Sequence, residues 1–216
     1  MKLLSVNAAM PQTVHINGKA VLTGINKTPL AGKVTVQALG LAGDGQADLT
    51  VHGGEYQALY AYPIEHYAHW QNRLQTSTLP YGTFGENLTI EGLLESEVCV
   101  GDLLQIGEEV QLQVTMPRIP CFKFGHKVGK PDILDEFLRS GFSGFYLRVV
   151  KTGQIQAGDE IKILQHDTHG ISIRTALGLQ KLDEGDHALL QKALQVPSLP
   201  PLLRKVYSER LSRMAG

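Results

Sequence analysis

Residues 117–127, PRIPCFKFGHK, set a cysteine among cations. Arg118, Lys123, Lys127 and Lys130 carry permanent charge around Cys121, His126 adds an imidazole, and no carboxylate occurs from residue 110 to 131. Such a field stabilises the thiolate, the form of cysteine that attacks electrophiles or binds metal. The same field attracts anions. Pro117 and Pro120 forbid a regular ladder just before the cysteine and Gly125 interrupts the pattern just after, which predicts a shaped loop at a strand end. A packed, inert thiol is the competing reading, because cysteine is among the most buried residue types, and the residues alone leave both open. A structural zinc site normally draws on close pairs of Cys or His, and this segment offers a single thiol.

Two glycine-rich stretches bring further polar side chains. LAGDGQADLTVHGGEYQALY, residues 41–60, contains Asp44, Asp48 and His52 followed by Gly53 and Gly54. YGTFGENLTIEG, residues 81–92, sets Thr83, Glu86 and Asn87 around Gly82 and Gly85. Glycine lets a backbone approach a ligand closely and present its amide donors. Taken singly, His52 reads as the cap of a turn, and Glu86 with Asn87 as the turn before a strand. His66 and His69 have a spacing that would place both on one helix face, but no third ligand stands near, so a surface pair is expected. Cys99 alternates with Val98 and Val100 in a strand pattern and reads as a buried, inert thiol.

The elements that must position these residues are mostly strands. Short extended runs fill the chain to about residue 60, and Asn17-Gly18 between apolar runs signals a two-residue hairpin. A helix is predicted over Pro63 to Leu74, with strands again in ENLTIEGL, in SEVCVGDLLQIGEEVQLQVTM and in GFYLRVVKTGQIQAGDEIKIL. VCVGDLLQIG and IQAGDEIKIL both place Gly-Asp between apolar runs, which suggests two comparable tight turns in a closed or nearly closed sheet. DILDEFLRSG fits a short helix capped at Gly141, with Arg139 in its last turn. Beyond about residue 166 leucines recur at helical spacing in three segments separated by turn formers. The expected organisation is a mostly β domain over residues 1–165 and a three-helix appendage over 166–216.

Composition bounds the function classes. The 216 residues are 43% hydrophobic and 19% charged, with a formal net charge of −1, as in an ordinary soluble globular protein. The appendage carries seven basic and five acidic residues, too balanced for a concentrated nucleic-acid footprint. No apolar run approaches the roughly 18 residues of a spanning helix. The N-terminal apolar block is too short for a secretory signal, so a cytoplasmic location is expected and both cysteines should be reduced thiols.

Three blocks together resemble the MOSC domain, the family named for the C-terminal domain of molybdenum cofactor sulfurase. They are GLAGDGQADLTVHGGEYQALYAY, YGTFGENLTIEGLLESEVCVGDLLQIG and PRIPCFKF, in the family's order and spacing. The helical tail resembles the extra C-terminal segment of the YiiM-like branch. The resemblance implies a barrel-like domain that binds the molybdenum pyranopterin cofactor, with Cys121 as the thiolate ligand to molybdenum. It also implies reduction of N-hydroxylated compounds, such as hydroxylaminopurine bases and hydroxylamines, to amines. Arg118 and Lys123 would then pair with the cofactor's anionic groups. His52, Gly53 and Gly54, with Thr83, Glu86 and Asn87, match the family's His-Gly-Gly and Gly-Glu-Asn blocks and would line the cavity as orienting partners or a proton source. Asp44 and Asp48 would be structural.

No G-x-G-x-x-G follows a strand, so electrons would come from a separate reductase protein. A homodimer is the family's habit. Two other functions compete with the reductase. One is a sulfur carrier bearing a persulfide on Cys121, which the sulfurase relationship invites. The other is a DNA-binding tail, which the near-neutral charge disfavours because phosphate neutralisation supplies much of such affinity.

Overall fold

The computed structural model describes residues 1–47, 53–181 and 185–214. Thirteen strands are present among them: β1 (Lys2–Ala8), β2 (Gln12–Ile16), β3 (Lys19–Thr23), β4 (Thr28–Pro29), β5 (Val34–Gln37), β6 (Gly40–Leu41), β7 (Leu59–Pro63), β8 (Leu88–Glu91), β9 (Leu103–Ile106), β10 (Val110–Pro117), β11 (Phe145–Lys151), β12 (Gly153–Ile155) and β13 (Ile161–Gln165). The α-helices are α1 (Tyr67–Leu74), α2 (Phe122–Lys127), α3 (Ile133–Ser140), α4 (Ile173–Lys181), α5 (His187–Leu194) and α6 (Pro201–Met214). None of the described helices is long and apolar enough to cross a membrane.

Eight strands form one sheet in the order β13-β9-β10-β11-β7-β8-β1-β4, antiparallel except for the pair β7 and β8. A parallel pair needs a crossover, and α1 lies in it. The expectation of a closed, barrel-like sheet is corrected here. The start of β1 meets the β13 end of the sheet at one isolated bridge, Lys2 to Glu160, where the Leu3 N–H donates to the Asp159 carbonyl at 2.9 Å, the Gly158 N–H to the Leu3 carbonyl at 2.7 Å and the Ile161 N–H to the Met1 carbonyl at 3.0 Å. A register shift between Leu3 and Ser5 bends β1, and β4 takes its edge at Asn7 and Ala8, so no ladder is left to seal the cylinder. "Mostly β" is likewise corrected, since helix and strand are nearly equal at 29% and 31%.

Local chemistry explains much of this plan. The hairpin of β2 and β3 turns through Asn17 and Gly18, both at positive φ, as a two-residue turn between twisted strands requires. The helix expected from Pro63 begins as a 3₁₀ turn over Ile64–His66 before becoming α1. His66 is not a surface residue: its ring is buried, stacks on Phe142 and meets the Glu95 carboxylate at 2.7 Å. Both Gly-Asp turns are built alike. Asp102 accepts the Cys99 N–H and Asp159 accepts the Gln156 N–H, each at 2.9 Å, and the strands that follow, β9 and β13, pair with each other.

Cys99 therefore sits in a turn bridged to Ser172 and not in a strand, and it is half-buried. Burial pushes its thiol up to about 11, and Asp102 and Asp167 push the same way, so it stays a protonated, unreactive thiol.

Two buried clusters result. The larger joins one face of β9 and β10, through Leu104, Ile106, Val110, Leu112 and Val114, to Ile173, Leu179, Leu190 and Tyr207 of α4, α5 and α6, so the C-terminal helices share the core of the sheet. The smaller is almost wholly aromatic, gathering Tyr60, Tyr62, Tyr67, Trp70, Phe84, Phe124 and Phe137 with Ile133. Tyr62 stacks on Phe84 with ring centroids 4.1 Å apart, and the Trp70 indole N–H donates to the Tyr62 hydroxyl.

The seam between this aromatic cluster and the sheet allows no added atom at Gly144, which has φ 60 and would place a Cβ 2.4 Å from the Ala61 carbonyl oxygen. Gly144→Ala is expected to cost about 2–5 kcal/mol, combining the left-handed penalty with overpacking. Gly129→Ala, at φ 71 with nothing near, should cost only about 1–2 kcal/mol. Urea denaturation of the two variants decides the point, and equal losses would show that the seam yields.

Candidate functional site

Strand β10 ends at Pro117, and the chain then crosses to α2 through Arg118, Ile119 and Pro120. Cys121 is the extended residue that caps α2, with φ −119 and ψ 170, and its carbonyl accepts the Phe124 N–H at 2.9 Å. The predicted loop is thus confined to the few residues after Pro117, and the break expected at Gly125 is corrected, since the chain is already helical from Phe122 to Lys127. Gly125 lies buried inside α2 because a side chain there would meet Lys130 and Pro131. Cys121 is half-buried and lines a cleft together with Arg118, Lys123, Asn87 and Gly53. The fold therefore brings together five residues singled out in the sequence from three separate blocks.

Arg118 is only 6% exposed. Its guanidinium lies 5.1 Å from the ring centroids of Tyr60 and Phe124 and 5.5 Å from that of Phe137. The Tyr146 phenol neighbours it on the cleft wall, yet Nη1 is buried without a hydrogen-bond partner among the described residues. Aromatic faces return part of the lost hydration of a cation but do not neutralise it. A buried charge with a vacant donor at the wall of a cleft is a place for an anion.

A second cation, Lys27, lines the same cleft and was not foreseen. Its ammonium pairs with Asp44, while burial holds its pKa below the ordinary lysine value. Asp44, expected to be merely structural, is the knot of this wall. One carboxylate oxygen accepts the Ala9 N–H at 2.9 Å and the Lys27 ammonium, and the other accepts the Asn87 side-chain amide at 2.8 Å. Asn87 in turn accepts the Tyr60 N–H at 3.2 Å through its side-chain oxygen. Nothing local in the sequence announces Lys27, because its partner lies far along the chain. Tyr146 was also missed. It opposes Met116 in the β10–β11 ladder and Tyr60 in the β11–β7 ladder, so the strand pairing alone delivers it to the cleft.

Other anticipated residues lie elsewhere. Glu86 is fully buried behind the wall, where it accepts hydrogen bonds from the Tyr67 hydroxyl, the Thr89 hydroxyl and the Gly82 and Phe84 N–H groups. Burial raises its pKa, and its acceptors are spent on shaping its own loop. The Thr83 hydroxyl is likewise turned to the Pro80 carbonyl at 2.6 Å. Gly54 begins a 3₁₀ turn over Glu55–Gln57 next to the cleft. His52 and Asp48 fall outside the described residues. Of the cations around Cys121, Lys130 points away and donates to the Arg73 carbonyl at 3.0 Å. Lys127 donates to the Ile25 and Gly82 carbonyls, and burial depresses its pKa to about 8. Among the described residues no group of three or more His, Cys, Asp or Glu side chains could hold a metal ion. A metal held here through the protein would have one thiolate as its ligand.

The cleft of this mixed sheet sets a thiol beside a buried guanidinium that has a donor to spare. The chain belongs to the MOSC domain family, whose model matches residues 48–162. It is 35% identical to YflK of Bacillus subtilis over 98% of this chain and 95% of that protein. It is 31% identical to a protein named Reductase from Gibberella moniliformis over 97% of this chain, which spans 37% of that longer relative. The crystal structure of YiiM from Geobacillus stearothermophilus superposes with a TM-score of 0.82 at 31% identity, covering 97% of this chain and 98% of that one.

Two expectations follow from the electrostatics. Arg118→Met removes a charge whose desolvation costs several kcal/mol, so the ligand-free variant should be at least as stable as wild type in urea while losing affinity for anions. A clear loss of stability would mean that the aromatic contacts outweigh desolvation. For Lys127, the folded pKa lies below the unfolded value, so between about pH 8 and 10.5 the unfolded chain holds more protons and stability rises with pH. Measured against Lys127→Met over that window, wild type should gain on the order of 2–3 kcal/mol. A flat difference would place the ammonium in water.

Proposed function

We propose that the protein is a molybdenum-cofactor-dependent reductase that converts N-hydroxylated compounds to amines. The observation that carries this reading is the buried Arg118 guanidinium, one donor short of partners, facing the cleft that Cys121 lines. Membership of the MOSC family and similarity to a protein named Reductase support the reaction type.

The residues present fit the group. Cys121 offers a sulfur donor suited to a soft metal, and Arg118, with Lys123 and Lys27 at the rim, offers donors to the cofactor's phosphate. When bound, the cofactor supplies the two-electron chemistry by which R–NHOH, two electrons and two protons give R–NH2 and water. The chain's own part is to bind, orient and exclude water. Asp44 and Asn87 fix Lys27 and the Tyr60 backbone, Gly53 lets the main chain approach the ligand, and Glu86 with Thr83 holds the supporting loop. We assign the proton source to His52, next in sequence to Gly53. Electrons come from a separate redox protein.

Metal analysis of protein made in cells that synthesise the cofactor tests the assignment. Cys121→Ser should lose bound molybdenum and activity by about 100-fold or more while keeping its circular dichroism, and Cys99→Ser should keep both. Equal molybdenum in the two variants would remove Cys121 from the metal, and sulfane sulfur on a metal-free wild type would favour the carrier.

A further inference from the structure

A second cavity of about 220 Å3 lies beneath the β2–β3 hairpin and shares Thr23, Ile25 and Lys123 with the cleft. Its polar lining consists of groups that can donate hydrogen bonds: Thr23, Asn26, Lys123, His126 and Lys127. Among the described residues no carboxylate lines it. The Thr23 oxygen already accepts the Ile25 N–H at 3.2 Å, which leaves its hydroxyl hydrogen to be donated. Lys123 spends one proton on the Leu22 carbonyl at 3.0 Å, and Lys127 spends two on the Ile25 and Gly82 carbonyls, so each ammonium keeps at least one proton. The bonds to Leu22 in β3 and to Ile25 just beyond it hold the end of the hairpin over the cavity. The His126 ring makes no hydrogen bond among the described residues, and the remaining wall is apolar.

Donors lining one cavity, with protons left over from their carbonyl contacts, suit a phosphate monoester, whose terminal oxygens only accept when ionised. We infer that this cavity is a phosphate subsite, and that the N-hydroxylated substrate is a nucleotide whose phosphate seats beneath the hairpin while its base enters the cleft. The word substrate rests on the reductase reading; the binding does not. Arg118 and Lys27 remain for the cofactor's own anion, and Lys123 stands at the junction of the two spaces.

Isothermal titration of the full chain with adenosine monophosphate and with adenosine tests the subsite, in cofactor-free and cofactor-loaded protein. The monophosphate should bind about tenfold tighter or more in both forms, the worth of one or two charge-assisted hydrogen bonds. That advantage should disappear in Lys127→Met and shrink in His126→Ala, whose exposed position puts folding at little risk. Equal affinity for the two ligands in wild type would overturn the proposal, as would an undiminished advantage in both variants. An advantage seen only in cofactor-free protein would give the cavity to the cofactor's phosphate and equally overturn the assignment. Cys121→Ser separates the two readings, because a variant that binds no molybdenum should still prefer the monophosphate.

Discussion

The guanidinium of Arg118 is the constraint around which the site is arranged. A charge removed from water must recover its hydration from neighbours, and here the neighbours are three aromatic rings and one phenol. They leave Nη1 without a partner. The protein could have closed the account with an aspartate, but the carboxylates near this wall are engaged elsewhere, Asp44 with Lys27 and Asn87, Glu86 with its own loop. What remains is a positive potential directed at the cleft that Cys121 shares.

The aromatic cluster is therefore more than filler. Tyr60 belongs to β7, Phe124 to α2 and Phe137 to α3, so the stack that surrounds Arg118 also fixes α2, and with it the cysteine at its cap, against the sheet. Substituting one of these rings would alter the dielectric around the arginine and the position of the thiol together. Preorganisation of this kind lets a binding site hold donors in place before a ligand arrives.

Asp44 plays a corresponding part in the same cleft. Its carboxylate joins the end of β1 through the Ala9 amide, the Lys27 segment and the Asn87 loop, three stretches with no sequence relation. The residues just before Lys27, namely Thr23, Ile25 and Asn26, line the second cavity, where Lys123 grips the backbone of β3 at Leu22 and Lys127 the backbone just beyond it at Ile25. Cleft, hairpin and helix cap thus form one mechanical unit, consistent with a ligand that touches both spaces.

The hairpin at Asn17-Gly18, the helix over residues 133–140, the three C-terminal helices and the electropositive setting of Cys121 were all legible in the sequence. Each depends on interactions within a few residues: turn dihedrals, helical periodicity, or charges on one short segment. Tertiary structure alone decided that the sheet stays open, that Cys99 leaves the strand, that His66 is buried on Glu95, and that Glu86 stands behind the wall while Asp44 and Lys27 form it. These outcomes depend on which set of pairings satisfies the most buried polar groups at once, because an unpaired group inside costs more than a hydrogen bond returns. Residue types fix what each side chain can do; only the pairing of distant strands fixes which of them face the same space.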